Sequence, residues 1–107
     1  MSNQTWMEIM PEKVEELIRS GRGDVQLIDV RELDEYKEGH IPGVKLIPLS
    51  QLEVRHDEIE RGKDAILICR SGGRSRQACE FLASRGHRKL QNMSGGMLSW
   101  KGEVVRD

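Results

Sequence analysis

The sequence lacks most of the features that would fix its class at a glance. It has two cysteines among 107 residues, too few for a disulfide scaffold in so short a chain. No stretch approaches the about 20 apolar residues that a membrane span requires. The first residues, Met1 to Trp6, contain no basic region followed by an apolar run, so no secretory signal is expected. Neither sign of charge dominates: the net charge is −1, which indicates neither a nucleic-acid footprint nor an acidic tail. No G-x-x-x-x-G-K-[ST] pattern occurs, so Gly95-Gly96 is not a phosphate loop. His40, His56 and His87 do not combine with Cys69 and Cys79 into a zinc spacing. Repeats, low-complexity segments and linkers are also missing. These absences lead us to expect one domain spanning 1–107, located in the cytoplasm where thiols stay reduced. They point to no metal, no cofactor, no nucleic-acid partner and no membrane.

What is present is a globular balance, 36% hydrophobic and 33% charged. Pro11 suits a first helical turn, and Val14, Leu17 and Ile18 follow at helical spacing, so a helix is expected to Ser20, broken by Gly21 and Gly23. Val25 to Ile28 reads as a strand ending near Asp29, and Glu32 to Glu38 as a short polar helix. Gly39 to Gly43 is turn-rich. Val44 to Ile47 reads as a second strand. Ser50 is a candidate N-cap for a helix running to Ile59, and the mixed charges from Glu53 to Lys63 suit a solvated face. Ala65-Ile66-Leu67-Ile68 is the most apolar run and predicts a central strand buried on both faces. A helix is expected from about Arg74 to Arg85, stopped by Gly86. A weaker strand follows at Lys89 to Gln91, then a helical piece with Met97, Leu98 and Trp100. Strands alternating with helices predict an α/β fold: a small, mainly parallel sheet with helices on both faces. In such sheets function gathers at the carboxyl ends of the strands, where Asp29-Val30-Arg31 and a cysteine loop both fall.

Cys69 ends the most apolar strand and precedes a glycine-rich turn and a helix. A lone buried cysteine is ordinarily an inert core residue. Here its setting argues otherwise. A helix N-terminus presents unpaired N–H groups and partial positive charge. Gly72 and Gly73 permit a backbone that curls into an anion-holding nest. Arg70 and Arg74 add two positive charges. Together these favour a thiolate, placing the Cys69 pKa below the usual value of about 8.5 and suiting attack on an anionic substrate.

The segment Cys69-Arg70-Ser71-Gly72-Gly73-Arg74-Ser75 resembles the active-site loop of rhodanese-type sulfurtransferases. Leu27 to Glu32 resembles that family's first motif. Glu35-Tyr36 with Gly39-His40-Ile41-Pro42-Gly43-Val44 resembles its second, usually written with alanine at the last place. Asn92 to Trp100 is similar to its closing motif. The four blocks lie in family order over about residues 8 to 102. The resemblance implies a rhodanese-like fold and a thiosulfate sulfurtransferase. A sulfane sulfur would pass from thiosulfate or a similar small anionic donor to Cys69 as a persulfide, then to cyanide, a thiol or a partner protein. Cys69 would be the nucleophile, and Arg70, Ser71, Gly72, Gly73, Arg74 and Ser75 would cradle the substrate.

Two other classes compete. Cysteine phosphatases and arsenate reductases also hold a thiolate in an anion loop, but with five residues between Cys and Arg. Here four separate Cys69 from Arg74, and the smaller loop suits one sulfur atom better than a phosphoryl group. A binding module without chemistry would usually lack the cysteine. Asp29 and Arg31 could contact substrate or form a buried bracket between loops, and the bracket is favoured. His40 is assigned to fixing its turn by hydrogen bonding. Cys79, with Leu82 and Ala83, fits an apolar face. His56 and His87 are expected to be exposed, and Trp6 and Trp100 to close the core.

Overall fold

The computed structural model describes residues 6–21 and 24–106; Gly23 and the first five residues lie outside this range. Five strands form one sheet: β1 (Trp6–Ile9), β2 (Gln26–Asp29), β3 (Lys45–Leu46), β4 (Ala65–Ile68) and β5 (Leu90–Met93). Their order across the sheet is β1-β5-β4-β2-β3, and every pairing is parallel. Between them run α1 (Pro11–Arg19), α2 (Leu33–Glu38), α3 (Leu52–Arg55) and α4 (Gly73–Ser84).

The central strand shows how the sequence divides the core. All four residues of β4 are buried, and their side chains alternate between faces as strand geometry requires. Ala65 and Leu67, with Cys69 beyond them, join Ile28 and Leu90 against Ala78, Cys79 and Leu82 of α4 and Leu52 of α3. Ile66 and Ile68 point the other way, with Met93, Val14 of α1 and Ile41. Trp6 packs against the first cluster and Trp100 against the second, so both tryptophans close the core as expected.

Local chemistry sets the helix ends. Pro11 occupies the first position of α1 after an extended Met10. Helix α2 opens on a capping box in which the Glu32 N–H donates to Glu35 Oε1 at 3.0 Å. Gly72, with φ +104°, precedes α4 in a left-handed conformation that a side chain would strain.

Several expectations need correction. Trp6–Ile9 forms an edge strand that periodicity did not predict; it is completed only by pairing with β5. The strand expected over Val44 to Ile47 narrows to Lys45–Leu46. The helix expected from Ser50 to Ile59 is three short pieces, with 3-10 turns at Leu49–Gln51 and His56–Glu58 flanking α3. Ser50 lies inside the first turn rather than capping it, and its hydroxyl reaches Glu32 at 3.4 Å. Ile18, placed on the apolar face of α1, is exposed, because α1 covers the sheet with Val14 and Leu17 instead.

His87 is 2% exposed and not at the surface. Its ring meets His56 edge-on at 5.8 Å, and His56 meets Phe81 likewise at 5.8 Å. His56, also expected to be exposed, is half-buried, and the flat rings pack there as aromatics. Burial, followed by the charge of Arg61, accordingly pushes the His87 pKa down.

Candidate active site

Because all strands run parallel, their carboxyl ends share one edge of the sheet, and the polar residues singled out in the sequence meet there. Cys69 follows β4 at the centre of that edge and is 1% exposed. The Gly72 N–H donates to its Sγ at 3.0 Å, and the Ser75 hydroxyl lies 3.3 Å from the same sulfur. Burial alone pushes the Cys69 thiol up. Hydrogen bonds from the Ser75 side chain and from the backbone of Ser75, Gly72 and Ser71 outweigh it, and the pKa is lowered. The loop amides therefore do what the sequence predicted of them.

The loop is held in shape from the opposite side. A 3-10 turn at Gly96–Ser99 aims two N–H groups at the loop: Met97 donates to the Cys69 carbonyl at 2.9 Å and Leu98 to the Arg70 carbonyl at 3.0 Å. With these carbonyls engaged from outside, the amides farther along the loop face the sulfur. A Cβ on Gly96, which has φ +58°, would collide with the carbonyl oxygens of Cys69 and Arg70. Gly96 thus serves the loop by close approach, a role its place in the closing motif did not reveal.

A polar chain leads away from the sulfur. Ser75 is buried and its hydroxyl also bonds Asn92 Oδ1. The Asn92 amide donates to Glu8 Oε2 at 3.0 Å and to the Gly72 carbonyl at 3.3 Å, and the Ser94 hydroxyl donates to Glu8 Oε1 at 2.6 Å. A hydroxyl has one proton, so Ser75 donates either to Asn92 or to the sulfur at a given moment. Glu8 and Asn92 are register partners on β1 and β5, a juxtaposition visible only once that edge strand is known.

The two arginines part company. Arg74 makes a two-pronged ion pair with Glu35 of α2, Nη1 to Oε1 and Nη2 to Oε2, both at 2.8 Å. That pair holds the Glu35 carboxyl at about 2. Arg70 is exposed. The sequence reading counted both as free positive charges, whereas Arg74 is largely neutralised by its partner. Ser71 and Gly73 are exposed.

Asp29 and Arg31 form the bracket. Their side chains pair with Arg31 Nη2 at 2.8 Å from Asp29 Oδ2, and Arg31 Nη2 donates to the Gly39 carbonyl at 2.8 Å, tying the end of β2 to the turn after α2. His40 is buried there, with Nδ1 2.8 Å from the Tyr36 carbonyl and its ring stacked on Tyr36 at 3.6 Å. The hydrogen bonds to the Cys69 sulfur come from Gly72 and Ser75, not from Asp29 or Arg31. Cys79 lies on α4, buried in the core. No cluster of metal-ligating side chains occurs among the described residues, and no helix of these is long and apolar enough to cross a membrane.

Comparison with known proteins places this geometry. A family model described as a rhodanese-like domain matches residues 10–103. The chain is 42% identical over 96 residues to the uncharacterized protein YqhL of Bacillus subtilis, covering 90% of this chain and 76% of that one. It is 38% identical over 77 residues to a protein named sulfurtransferase from Allochromatium vinosum, covering 72% of each. The crystal structure of a rhodanese-related protein from Thermoplasma volcanium superposes with a TM-score of 0.83 at 32% identity, over 94% of this chain and 99% of that one.

Proposed function

The chain belongs to the rhodanese-like family, and on that footing we propose that it is a sulfurtransferase whose Cys69 carries a sulfane sulfur as a persulfide. The observation that carries this reading is the buried Cys69 sulfur, with the Gly72 N–H 3.0 Å away at the mouth of α4. The thiolate attacks the outer sulfur of a donor such as thiosulfate. A Cys–S–S bond forms, the donor's S–S bond breaks, and its electron pair leaves with sulfite. The loop amides that stabilise the thiolate then hold the persulfide anion, as an oxyanion site holds developing charge. An acceptor nucleophile, cyanide or a thiol, takes the outer sulfur and returns Cys69 as thiolate. Such an exchange has ping-pong kinetics.

Cys69 is the catalytic residue of this scheme, and the amides and hydroxyl from Ser71 to Ser75 are its anion cradle. Asp29, Arg31 and His40 support the site by fixing the segments around it. Both cysteines are free thiols, which suits a reducing compartment such as the cytoplasm.

Intact mass tests the proposal. After incubation with thiosulfate the protein should gain one sulfur atom, lose it on adding cyanide, and gain none as Cys69→Ser. Absence of any gain with every sulfane donor would overturn the reading. Robust turnover of an aryl phosphate would replace it with a phosphatase.

A further inference from the structure

The charges around the loop nearly cancel. Arg74 is paired through both terminal nitrogens with Glu35, and Arg31 is paired with Asp29. Glu32, at the start of α2, adds a further acid whose charge reaches Arg74. Arg70 and Arg76, the latter in the first turn of α4, are the other cations of this segment, and both are exposed. The stabilisation of charge at Cys69 comes instead from N–H groups and a hydroxyl converging on one sulfur atom. These donors serve a small anionic centre at the bottom of the loop. They offer no second charge for a sulfonate group standing above it.

Resting on the sulfurtransferase reading, we propose that Glu35 determines donor specificity: by engaging Arg74 it selects against the thiosulfate dianion and in favour of an organic hydropersulfide. Thiosulfate brings two negative charges, and a sulfonate standing near the first turn of α4 meets an Arg74 guanidinium that already holds a carboxylate. To bind, it must displace Glu35 or lie against it. The Glu35 carboxyl, held at about 2 by the Arg74 hydrogen bonds, does not relieve this repulsion by protonating near neutral pH. A hydropersulfide R–S–SH brings no sulfonate. The Cys69 thiolate attacks its outer sulfur, the Cys–S–S bond forms as the S–S bond of the donor breaks, the proton stays on the transferred sulfur, and the electron pair leaves as the thiolate RS−.

Glu35→Gln isolates the effect. Glutamine can keep the capping bond to the Glu32 N–H, since Gln and Glu are interchangeable there, but it removes the charge. Asp34→Asn removes a charge one residue away, on an exposed side chain of the same helix turn. Rates of persulfide formation on Cys69 are read by mass for thiosulfate and for a hydropersulfide with an uncharged side group, 2-hydroxyethyl hydropersulfide. The wild-type chain should load faster from the hydropersulfide. Glu35→Gln should raise the thiosulfate rate by about tenfold, as expected for removing a like charge near a partly exposed site. It should leave the hydropersulfide rate within about twofold, as should Asp34→Asn for both donors. An unchanged thiosulfate rate in Glu35→Gln, an equal gain for both donors, or an equal gain in Asp34→Asn would overturn the assignment. Persulfide formation with both donors but no Glu35 effect would defeat it while leaving the sulfurtransferase reading intact. Loading from neither donor would defeat both.

Discussion

Cys69 and Cys79 are ten positions apart, belong to the same core cluster and are equally hidden from solvent, at 1% and 0% exposure. Burial raises both thiols, yet they end at opposite poles. Cys79 sits inside α4, where burial, followed by the charges of Glu8 and Glu80, pushes it up to about 12. Cys69 sits just before the same helix, where backbone N–H groups are unsatisfied by the helix itself, and these with Ser75 bring it below the ordinary range. The comparison teaches that access to the hydroxyl and backbone donors at a helix start, rather than burial, separates the two cysteines in this fold.

The largest expected effect tests whether the frame around Cys69 is as demanding as its donors. Asp29→Asn leaves the Arg31 guanidinium, paired in the wild type at 2.8 Å, buried without its counter-charge. Breaking such a pair costs about 3 kcal/mol. Chemical denaturation should show a loss of that size, and an unchanged midpoint would remove the bracket from the account. A smaller effect is expected from Ser75→Ala, which deletes one donor to the Cys69 sulfur and leaves the Gly72 N–H in place. The alkylation pKa of Cys69 should rise by about one unit, equivalent to about 1.4 kcal/mol. Cys79, which is buried on the same helix, should stay unreactive. Alkylation of Cys79 in the folded variant would mean that the substitution loosens the core and that the hydroxyl is no specific donor.

How much of this was legible in the sequence follows from the range of the interactions. The four apolar residues of β4, the glycine turn and the helix after it are contiguous, so the buried strand, the loop and the depressed thiol could all be read in order. The bracket was readable because Asp29 and Arg31 are two residues apart. The Arg74–Glu35 pair spans 39 positions, and nothing local to either residue announces the other; the arginine was therefore counted as free. Glu8 and Asn92 are 84 positions apart and meet only through β1, a strand whose own four residues carry no clear alternation and which exists because β5 offers it an edge. His87 was misjudged for a related reason. A histidine followed by Arg88 and Lys89 reads as surface in sequence, but it packs against His56 and is buried, and that burial lowers its pKa.

The central claim is that the Ser75 hydroxyl and the backbone donors at the start of α4 lower the Cys69 pKa while the same core raises that of Cys79. Alkylation of the native protein across pH, with each cysteine followed separately by peptide mass, measures this directly. The account predicts that Cys69 reacts with a midpoint below the ordinary cysteine range and that Cys79 stays unreactive until the protein unfolds. Two cysteines titrating together, or a Cys69 midpoint at or above the ordinary value, would contradict it.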